Sequence, residues 1–149
     1  MKIRVGFGFD VHQLVENHPF ILGGVKLEHH SGAYGHSDAD VLVHAICDAL
    51  LGAANLRDIG FHFSNTDERW RGISSLILLR ECVKLLNQKG WNVGNIDAML
   101  CLEAPRVNPH VPRMKLNIAE AAGISEDDIS IKATTNETMG FIGRQEGLV

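Results

Sequence analysis

The chain has 149 residues, a length that suits one folded domain and is too short for two independent cores. Hydrophobic residues make up 45% and charged residues 21% of it, a composition typical of globular proteins that argues against a disordered or fibrous one. The formal net charge of −4 argues against a nonspecific nucleic-acid binder, because such proteins need a basic face. We therefore expect no nucleic-acid partner, and an anionic substrate would be bound by metals or local dipoles.

Two short strands are predicted near the start of the chain. Apolar side chains recur at every second position from Ile3 to Phe9, which is the period of a strand over residues 2–9. The run Phe20-Ile21-Leu22 before Gly23-Gly24 predicts a second strand that ends in a turn. The first strand has one aromatic-rich face, and we expect another layer of protein to bury it.

Helical spacing follows these strands. Ser37-Asp38-Ala39-Asp40 is typical of an N-cap with an acidic first turn, and it predicts a helix from Asp38 to Ala54. Residues 74–89 form the clearest amphipathic stretch, with Gly90 placed to end it. Residues 55–72 between them are polar and too long for a plain connection, which makes them a candidate binding loop.

The second half of the chain alternates strands with one further helix. Strand character over Ile96–Leu102 and over Ile129–Thr134 flanks a helical pattern at Val111–Ala122, which Gly123 ends. A polar, glycine-containing tail follows. The predicted fold class is α/β (α+β): one domain over residues 1–149, with a single sheet layer covered by helices on one face.

Cysteine usage and hydropathy predict the compartment. Cys47, Cys82 and Cys101 are odd in number and lie among apolar residues, which predicts free thiols and a reducing compartment. The opening Met1-Lys2-Ile3-Arg4 leads into a strand without a signal-peptide stretch, and the apolar runs fall short of the roughly 20 residues that a membrane span needs. We expect a cytoplasmic protein with no membrane partner.

Asp10, His12 and His44 give the first chemical prediction. Asp10 and His12 are alternate residues at the end of a predicted strand, so their side chains point to the same side. His44 adds an imidazole from the first helix, and one carboxylate with two imidazoles suits zinc with an open fourth position. Taken alone, a pair of the form Asp-x-His is more often a structural pair.

Two carboxylates flank His44 along its helix. Asp40 and Asp48 lie one turn before it and one turn after it, so either one is predicted to accept the proton of the ring nitrogen that is not bound to metal. The alternative is a solvated helix face with incidental pairs.

His36 and Ser37 suit an anion. They lie at the predicted start of the first helix, where unpaired N–H groups and the helix dipole favour a phosphate. Plain capping by Ser37 is the alternative.

A second polar group lies near the end of the chain. The last predicted strand leads into Thr134, Thr135 and Glu137, and a loop from Gly140 to Arg144 follows. Hydroxyls, a carboxylate and a guanidinium suit phosphate or a second, magnesium-like ion. An ordinary polar turn is the alternative.

In this order, these groups resemble the motifs of the 2-C-methyl-D-erythritol 2,4-cyclodiphosphate synthase family over nearly the whole chain. The motifs of the first half are Gly8-Phe9-Asp10-Val11-His12, His36-Ser37-Asp38-x-Asp40, His44-Ala45, Asp48 to Ala54 and Asp58-Ile59-Gly60. Those of the second half are Ala104-Pro105, Pro109-His110-x-Pro112-x-Met114, Lys132-Ala133-Thr134-Thr135 and Gly140-Phe141-x-Gly143-Arg144.

The resemblance implies a role for each site residue. Asp10, His12 and His44 would bind Zn²⁺ or a similar divalent ion. His36 and Thr135 would assist the transferring phosphate, while Glu137 would bind a second ion, Mg²⁺ or Mn²⁺. The residues implied to bind substrate are Ser37, Asp58, Ile59, Gly60, Phe63, Asn65, Asp67, Leu102, Ala104, Pro105, Arg106, Thr134, Asn136, Phe141 and Arg144.

Within that set, the resemblance implies that three segments bind different parts of the substrate. Residues 58–60 would hold the ribose or the erythritol part, and the backbone of residues 102–106 would form the cytosine pocket. Phe141 and Arg144 would line the phosphate and the subunit interior. The family assembles as a homotrimer with active sites between neighbouring subunits.

Two departures from the family pattern stand out. The family usually has Phe-Pro-Asp-Thr-Asp where this chain has Phe63-Ser64-Asn65-Thr66-Asp67, so an amide replaces a carboxylate that would accept substrate hydroxyls. We expect a change in affinity with activity retained. In the family, a closing apolar strand that borders the sheet follows the position of Val149, and the stability of the trimer depends on it.

The implied reaction converts 4-diphosphocytidyl-2-C-methyl-D-erythritol 2-phosphate to the 2,4-cyclodiphosphate and releases CMP, in the non-mevalonate isoprenoid precursor pathway. One rival is a zinc hydrolase, in which the same three ligands activate water and His36 or Glu137 acts as general base. A rival of another class is a noncatalytic metal-binding or isoprenoid-binding module.

Overall fold

The computed structural model of the chain describes residues 2–149 and has a mixed α/β architecture, as predicted. The strands are β1 (His12–Glu16), β2 (Phe20–Leu22), β3 (Val25–Leu27), β4 (Ser31–Tyr34), β5 (Ile96–Cys101), β6 (Ile129–Thr134) and β7 (Gly147–Leu148). The helices are α1 (Val41–Ala53), α2 (Ile59–His62), α3 (Ser75–Gln88), α4 (Val111–Ala122) and α5 (Gly140–Gly143). Three short 3₁₀ helices lie at Glu68–Trp70, Asn108–His110 and Glu126–Asp128.

The strands form three small groups. β1 lies between β4 and β7 and is antiparallel to both, and β2 and β3 form an antiparallel hairpin. β5 and β6 are parallel, with Cys101 opposite Thr134 at their carboxyl ends. Reciprocal backbone hydrogen bonds of 2.7 and 3.1 Å between Cys101 and Val149 connect the end of β5 to the residue that follows β7. The first and third groups are therefore neighbours.

Residues 2–9 differ from the prediction, because they form no strand. Gly6 and Gly8 lie against the carbonyl groups of Ala49 and Ala45 in α1, so closely that a Cβ at either glycine would overlap the carbonyl oxygen. Two residues of extended chain advance about 6.6 Å and one turn of helix about 5.4 Å, which explains why every second residue meets successive turns of α1. The period-2 pattern thus corresponds to an extended segment. This segment is not paired with a strand, since no backbone hydrogen bond joins residues 2–9 to the rest of the described chain.

The first helix begins later than predicted, and its N-cap is Asp40. The side chain of Asp40 is fully buried and accepts hydrogen bonds from the backbone N–H groups of Val43 at 3.2 Å, Gly23 at 3.0 Å and Gly24 at 2.7 Å. One carboxylate therefore caps α1 and holds the turn between β2 and β3. Burial raises the pKa of Asp40 to about 6, against the three N–H donors.

The other predicted elements agree closely with the structure. Helix α4 has the predicted bounds and ends at Gly123 in the left-handed conformation, β6 also has its predicted bounds, and α3 and β5 differ only by a residue at their ends. The predicted loop of residues 55–72 contains α2 and a 3₁₀ helix. The tail contains α5 and β7, which the sequence did not predict because both are very short.

The core is formed by the inner faces of α1, α3 and α4 together with β2 and β5. Cys47 and Cys82 are buried in it and Cys101 is partly buried, and all three thiols are free, as predicted. The fully buried large side chains include Phe20, Leu22, Leu51, Leu79, Leu100, Met114 and Ile118. Over residues 2–149, no helix combines the length and apolarity that crossing a membrane requires.

We predict that Asp40→Ala lowers the free energy of unfolding by about 1–3 kcal/mol at pH 5, because three backbone N–H groups lose their acceptor. Since the folded pKa of about 6 exceeds the ordinary aspartate pKa of 3.8, the folded chain holds an extra proton between those values. The contribution of Asp40 to stability therefore falls as pH rises through that window, and the variant should lack this slope. Urea unfolding at pH 5 and pH 8 measures both effects, with exposed Asp127→Ala as the control. Equal stability of the two variants at pH 5 would contradict the prediction.

Candidate active site

Asp10, His12 and His44 lie together as predicted, and we call them the donor triad. Asp10 Oδ2 is 3.0 Å from His12 Nε2 and 3.1 Å from His44 Nδ1, and the two nitrogens are 3.2 Å apart. His12 comes from the first residue of β1 and His44 from the first turn of α1. Because the segment before β1 crosses α1, the Asp10 carboxylate lies beside His12 and His44.

The spacing of these three atoms fits a divalent metal. Zinc bonds of about 2.0–2.1 Å to nitrogen and carboxylate oxygen set tetrahedral ligand atoms about 3.3 Å apart. The observed separations of 3.0, 3.1 and 3.2 Å are close to that value. Three protein ligands leave a fourth position, which suits a catalytic site rather than a closed structural one.

Charge within the triad also favours a bound cation. Burial raises the pKa of Asp10, but hydrogen bonds and charge interactions with His12 and His44 outweigh it and hold the pKa well below its usual range. Burial lowers the pKa of His12, yet the neighbouring Asp10 carboxylate and the Tyr34 carbonyl give a net rise. A carboxylate that stays ionised between two imidazoles is the form that a metal binds.

The second nitrogen of each imidazole has a partner, but the partners differ from those predicted. His12 Nδ1 donates to the Tyr34 carbonyl at 2.8 Å. His44 Nε2 lies 2.8 Å from Ser75 Oγ and 3.0 Å from Ser37 Oγ. The prediction that Asp40 or Asp48 accepts this proton is wrong. Asp40 caps the helix, and the Asp48 carboxylate accepts from the Ile59 N–H at 2.7 Å.

The capping residue of the first helix also differs from the alternative that the sequence offered. The Asp40 carboxylate occupies the N-cap. Ser37 does not cap the helix, because its hydroxyl faces His44 and accepts from the Ala39 N–H at 3.3 Å. His36 Nε2 is buried and has no hydrogen-bond partner in the described chain, so it is available to a ligand.

The predicted binding loop is held at both ends by carboxylates. Asp58 caps α2 through the Phe61 N–H at 3.2 Å, and Asp67 binds the Arg69 guanidinium at 2.9 and 2.6 Å. Hydrogen bonding to Arg69 lowers the pKa of Asp67. The ring of Phe63 meets Trp70 edge-on at 5.2 Å, while Asn65 is exposed. Gly60 is exposed beside Asp58, where a Cβ would lie 3.1 Å from the carboxylate.

A cleft of about 360 Å³ lies at the carboxyl ends of β5 and β6. Parallel strands bring their carboxyl ends to one edge, which is where ligands bind in open α/β sheets. The predicted residues Leu102, Pro105, Arg106, Thr134 and Thr135 line it, and Ala104 lies within the same segment.

The sequence analysis missed Glu103 in this cleft. Its carboxylate accepts from the backbone N–H groups of Asn136 at 2.9 Å and Thr138 at 3.2 Å. Residues 137 and 138 have positive φ angles of 52° and 61°, so Glu103 holds a strained turn in place. A carboxylate near two prolines carries no spacing signal, because its partners lie 33 and 35 residues away.

The remaining predicted residues lie near the end of the chain, where Asn136 is half-buried and the others are exposed. The Thr135 hydroxyl donates to Glu137 Oε1 at 3.2 Å, and Arg144 pairs with Glu146 at 2.9 Å. Asn136 Nδ2 donates to the Met139 carbonyl at 2.7 Å, and Phe141 is 41% exposed. No hydrogen bond in the described chain joins this segment to the donor triad, and Glu137 belongs to no second group of three metal-binding side chains there. The triad lies on α1, the start of β1 and the segment before it, and the cleft lies at the ends of β5 and β6.

A profile of the YgbB family matches residues 3–149. The chain belongs to this family. It is 60% identical over 148 residues to the 2-C-methyl-D-erythritol 2,4-cyclodiphosphate synthases of Cytophaga hutchinsonii and Bacteroides fragilis. These alignments cover 99% of this chain and 93% of each relative.

Solved structures of the family have the same fold. The bifunctional IspDF of Campylobacter jejuni superposes with a TM-score of 0.94 at 40% identity, over 99% of this chain and 40% of that longer protein. A CDP complex of IspF from Plasmodium falciparum gives a TM-score of 0.84 at 32% identity, over 97% of this chain and 89% of that one. The likeness to cyclodiphosphate synthases therefore spans almost the whole chain.

We predict that His44→Ala abolishes stoichiometric binding of divalent metal and leaves α1 folded, because alanine is a good helix former and the imidazole is only partly buried. Metal analysis of the purified variant measures the first effect, and far-ultraviolet circular dichroism the second. The exposed His30→Ala is the matched control. Full zinc occupancy in His44→Ala would remove this residue from the ligand set.

Proposed function

We propose that the chain converts 4-diphosphocytidyl-2-C-methyl-D-erythritol 2-phosphate to 2-C-methyl-D-erythritol 2,4-cyclodiphosphate and releases CMP. The observation that carries the proposal is the donor triad, whose three atoms lie at the spacing of tetrahedral zinc ligands in a chain of the cyclodiphosphate synthase family. The product belongs to the non-mevalonate route to isoprenoid precursors.

The reaction forms one P–O bond and breaks another. An oxygen of the 2-phosphate attacks the β-phosphorus, and the bond from that phosphorus to the bridging oxygen breaks, so that CMP leaves with the bridging oxygen. The attacking phosphate is already anionic at neutral pH, so no strong base is needed. The barrier lies in bringing like charges together and in stabilising the leaving group, which positioning and cations both lower.

The donor triad would hold the divalent ion. Bound there, Zn²⁺ would withdraw charge from the phosphate oxygens through its open position. The Ser37 hydroxyl contacts His44 of the triad, and it and the neighbouring His36, whose Nε2 is buried without a partner in the described chain, would bind phosphate oxygens. Thr135 would do the same from the other side, once its hydroxyl turns away from Glu137.

A second ion, Mg²⁺ or Mn²⁺, would be coordinated by Glu137. This carboxylate is exposed and offers a single side chain, so the substrate phosphates would supply further ligands. Magnesium is commonly bound in this way, through one or two carboxylates and the phosphates of a substrate.

The cytidine would occupy the cleft between β5 and β6. Its lining is mixed, with Leu102 and Pro105 beside Arg106 and Thr134, which suits a flat base carrying polar edges. Asp58 to Gly60 and the loop to Asp67 would hold the sugar hydroxyls, with Asn65 accepting and donating where the family has a carboxylate. The three free thiols support a cytoplasmic location.

A homotrimer would complete the site. The outward face of residues 2–9 leaves Val5 92% and Phe7 86% exposed, an apolar strip that a second copy of the chain would cover. The triad and the cleft lie on different elements, and the family resemblance implies that each site combines the triad of one subunit with the cleft of its neighbour. Such head-to-tail contacts close into a ring. Phe141 and Arg144 would line the interior.

The reaction is tested by its products in water enriched in ¹⁸O. We expect equimolar CMP and cyclodiphosphate, neither containing ¹⁸O, because the attacking oxygen comes from the substrate itself. Mass spectrometry of CMP and the cyclodiphosphate measures whether either product contains ¹⁸O. A product with one solvent oxygen would identify a zinc hydrolase, and tight binding of zinc and an isoprenoid without turnover would identify a binding module.

The shared site is tested by mixing two variants. We expect Thr135→Ala to lower turnover sharply without loss of zinc, and His44→Ala to be inactive. After subunit exchange in an equal mixture, about a quarter of the sites join an intact triad to an intact cleft, so activity should return to about a quarter of the wild-type value. A mixture of His44→Ala with Asp10→Ala is the control, because both lesions lie in the same half. Full activity in a species that scatters light as a monomer would contradict the trimer.

A further inference from the structure

His44 Nε2, the ring nitrogen that faces away from the donor triad, is hydrogen-bonded to Ser75, which is in turn hydrogen-bonded to Asp38. The proposed chemistry does not use this chain of hydrogen bonds. His44 Nδ1 faces Asp10 and His12, whereas Nε2 points away, 2.8 Å from Ser75 Oγ. Ser75 is the first residue of α3 and is fully buried. The contact therefore joins α1 to α3 behind the donor triad.

Asp38 fixes the direction of the Ser75 hydroxyl. Its Oδ2 accepts the Ser75 N–H at 2.9 Å, and its Oδ1 makes a short hydrogen bond with Ser75 Oγ. An ionised carboxylate only accepts, so the hydroxyl proton of Ser75 points at Asp38. The lone pairs of Ser75 Oγ are then left for the proton on His44 Nε2.

We propose that Ser75 and Asp38 are positioning residues that keep the proton of His44 on Nε2, so that the lone pair on Nδ1 is available to a divalent metal. This inference rests on the metal site of the proposed function. The Tyr34 carbonyl acts in the same way on His12 Nδ1. Hydrogen-bonded partners of this kind orient metal-binding imidazoles and fix their tautomers.

Ser37 cannot replace Ser75 in this role. Its oxygen lies 3.0 Å from His44 Nε2 and accepts from the Ala39 N–H, but no carboxylate holds its hydroxyl proton. The hydroxyl of Ser37 can therefore donate as readily as it accepts, and it selects neither tautomer. Only the hydrogen bond between Ser75 and His44 has a fixed direction, with the Ser75 oxygen as the acceptor.

Asp38→Asn provides a test that preserves shape. Both carboxylate oxygens of Asp38 accept a backbone N–H, from Ser75 at 2.9 Å and from Asp40 at 3.3 Å. The shorter bond to the Ser75 N–H keeps the amide oxygen opposite it, so the amide NH₂ faces Ser75 Oγ. The hydroxyl then reverses and donates to His44 Nε2, which moves the imidazole proton to Nδ1. The substitution should thus block the metal-facing nitrogen with almost no change in volume.

The experiment compares Asp38→Asn and Ser75→Ala with wild type in the full-length protein. Competition with a chelator measures zinc affinity, and we expect each variant to lose about 10–100-fold. Ring ¹⁵N shifts of the zinc-depleted protein report the tautomer of His44. Asp10 Oδ2 lies 3.1 Å from Nδ1 and competes for the ring proton when zinc is absent, so we expect the fraction of His44 with its proton on Nε2 to be larger in wild type than in Asp38→Asn. Ser37→Ala should leave the wild-type tautomer unchanged.

Two controls separate positioning from stability. Ser74→Ala alters the neighbouring residue, whose side chain makes no capping hydrogen bond, and Asp127→Asn removes an exposed charge. Both should bind zinc as wild type does. If Asp38→Asn and Ser75→Ala keep wild-type zinc affinity, or if Asp38→Asn has the same tautomer of His44 as wild type, the inference fails. Absence of CMP release by the wild-type protein would instead overturn the proposed function, whatever the tautomer.

Discussion

The buried carboxylate of Asp40 is the interaction on which the geometry of the site depends. It accepts three backbone N–H groups, one from the first turn of α1 and two from the turn between β2 and β3. Asn117 of α4 donates to the carbonyl of the same turn at 3.0 Å. A carboxylate without these donors would be costly to bury, so the helix start and the hairpin turn have to stay together. His44 lies one turn further along the helix that is fixed in this way.

From that fixed helix, the donor triad is assembled by close backbone contact. Gly6 and Gly8 let residues 2–9 lie directly on the carbonyl groups of α1, and this contact carries Asp10 and His12 to His44. A side chain at either glycine would push the segment away and open the 3.0–3.2 Å spacing of the ligand atoms. Two glycines that bind nothing therefore determine whether a metal can be bound.

The fold places its two chemical groups at different locations. The triad lies where residues 2–9 and β1 meet α1, whereas the cleft lies at the carboxyl ends of β5 and β6. Glu103 holds the turn beside the cleft, and the Asp38–Ser75 pair lies behind the triad.

The sequence by itself determined the class of fold, α4, β6, the interior of α3 and the three side chains of the donor triad. These features depend on local period, on caps such as Gly123 and on residue chemistry, all of which are readable along the chain. Only the tertiary structure decided that residues 2–9 have no strand partner, that Asp40 caps α1, and that Ser75 rather than Asp40 or Asp48 meets His44. Strand pairing and side-chain partners depend on segments far apart in sequence. Ser75 lies 31 residues from His44, so no helical spacing could have indicated that contact.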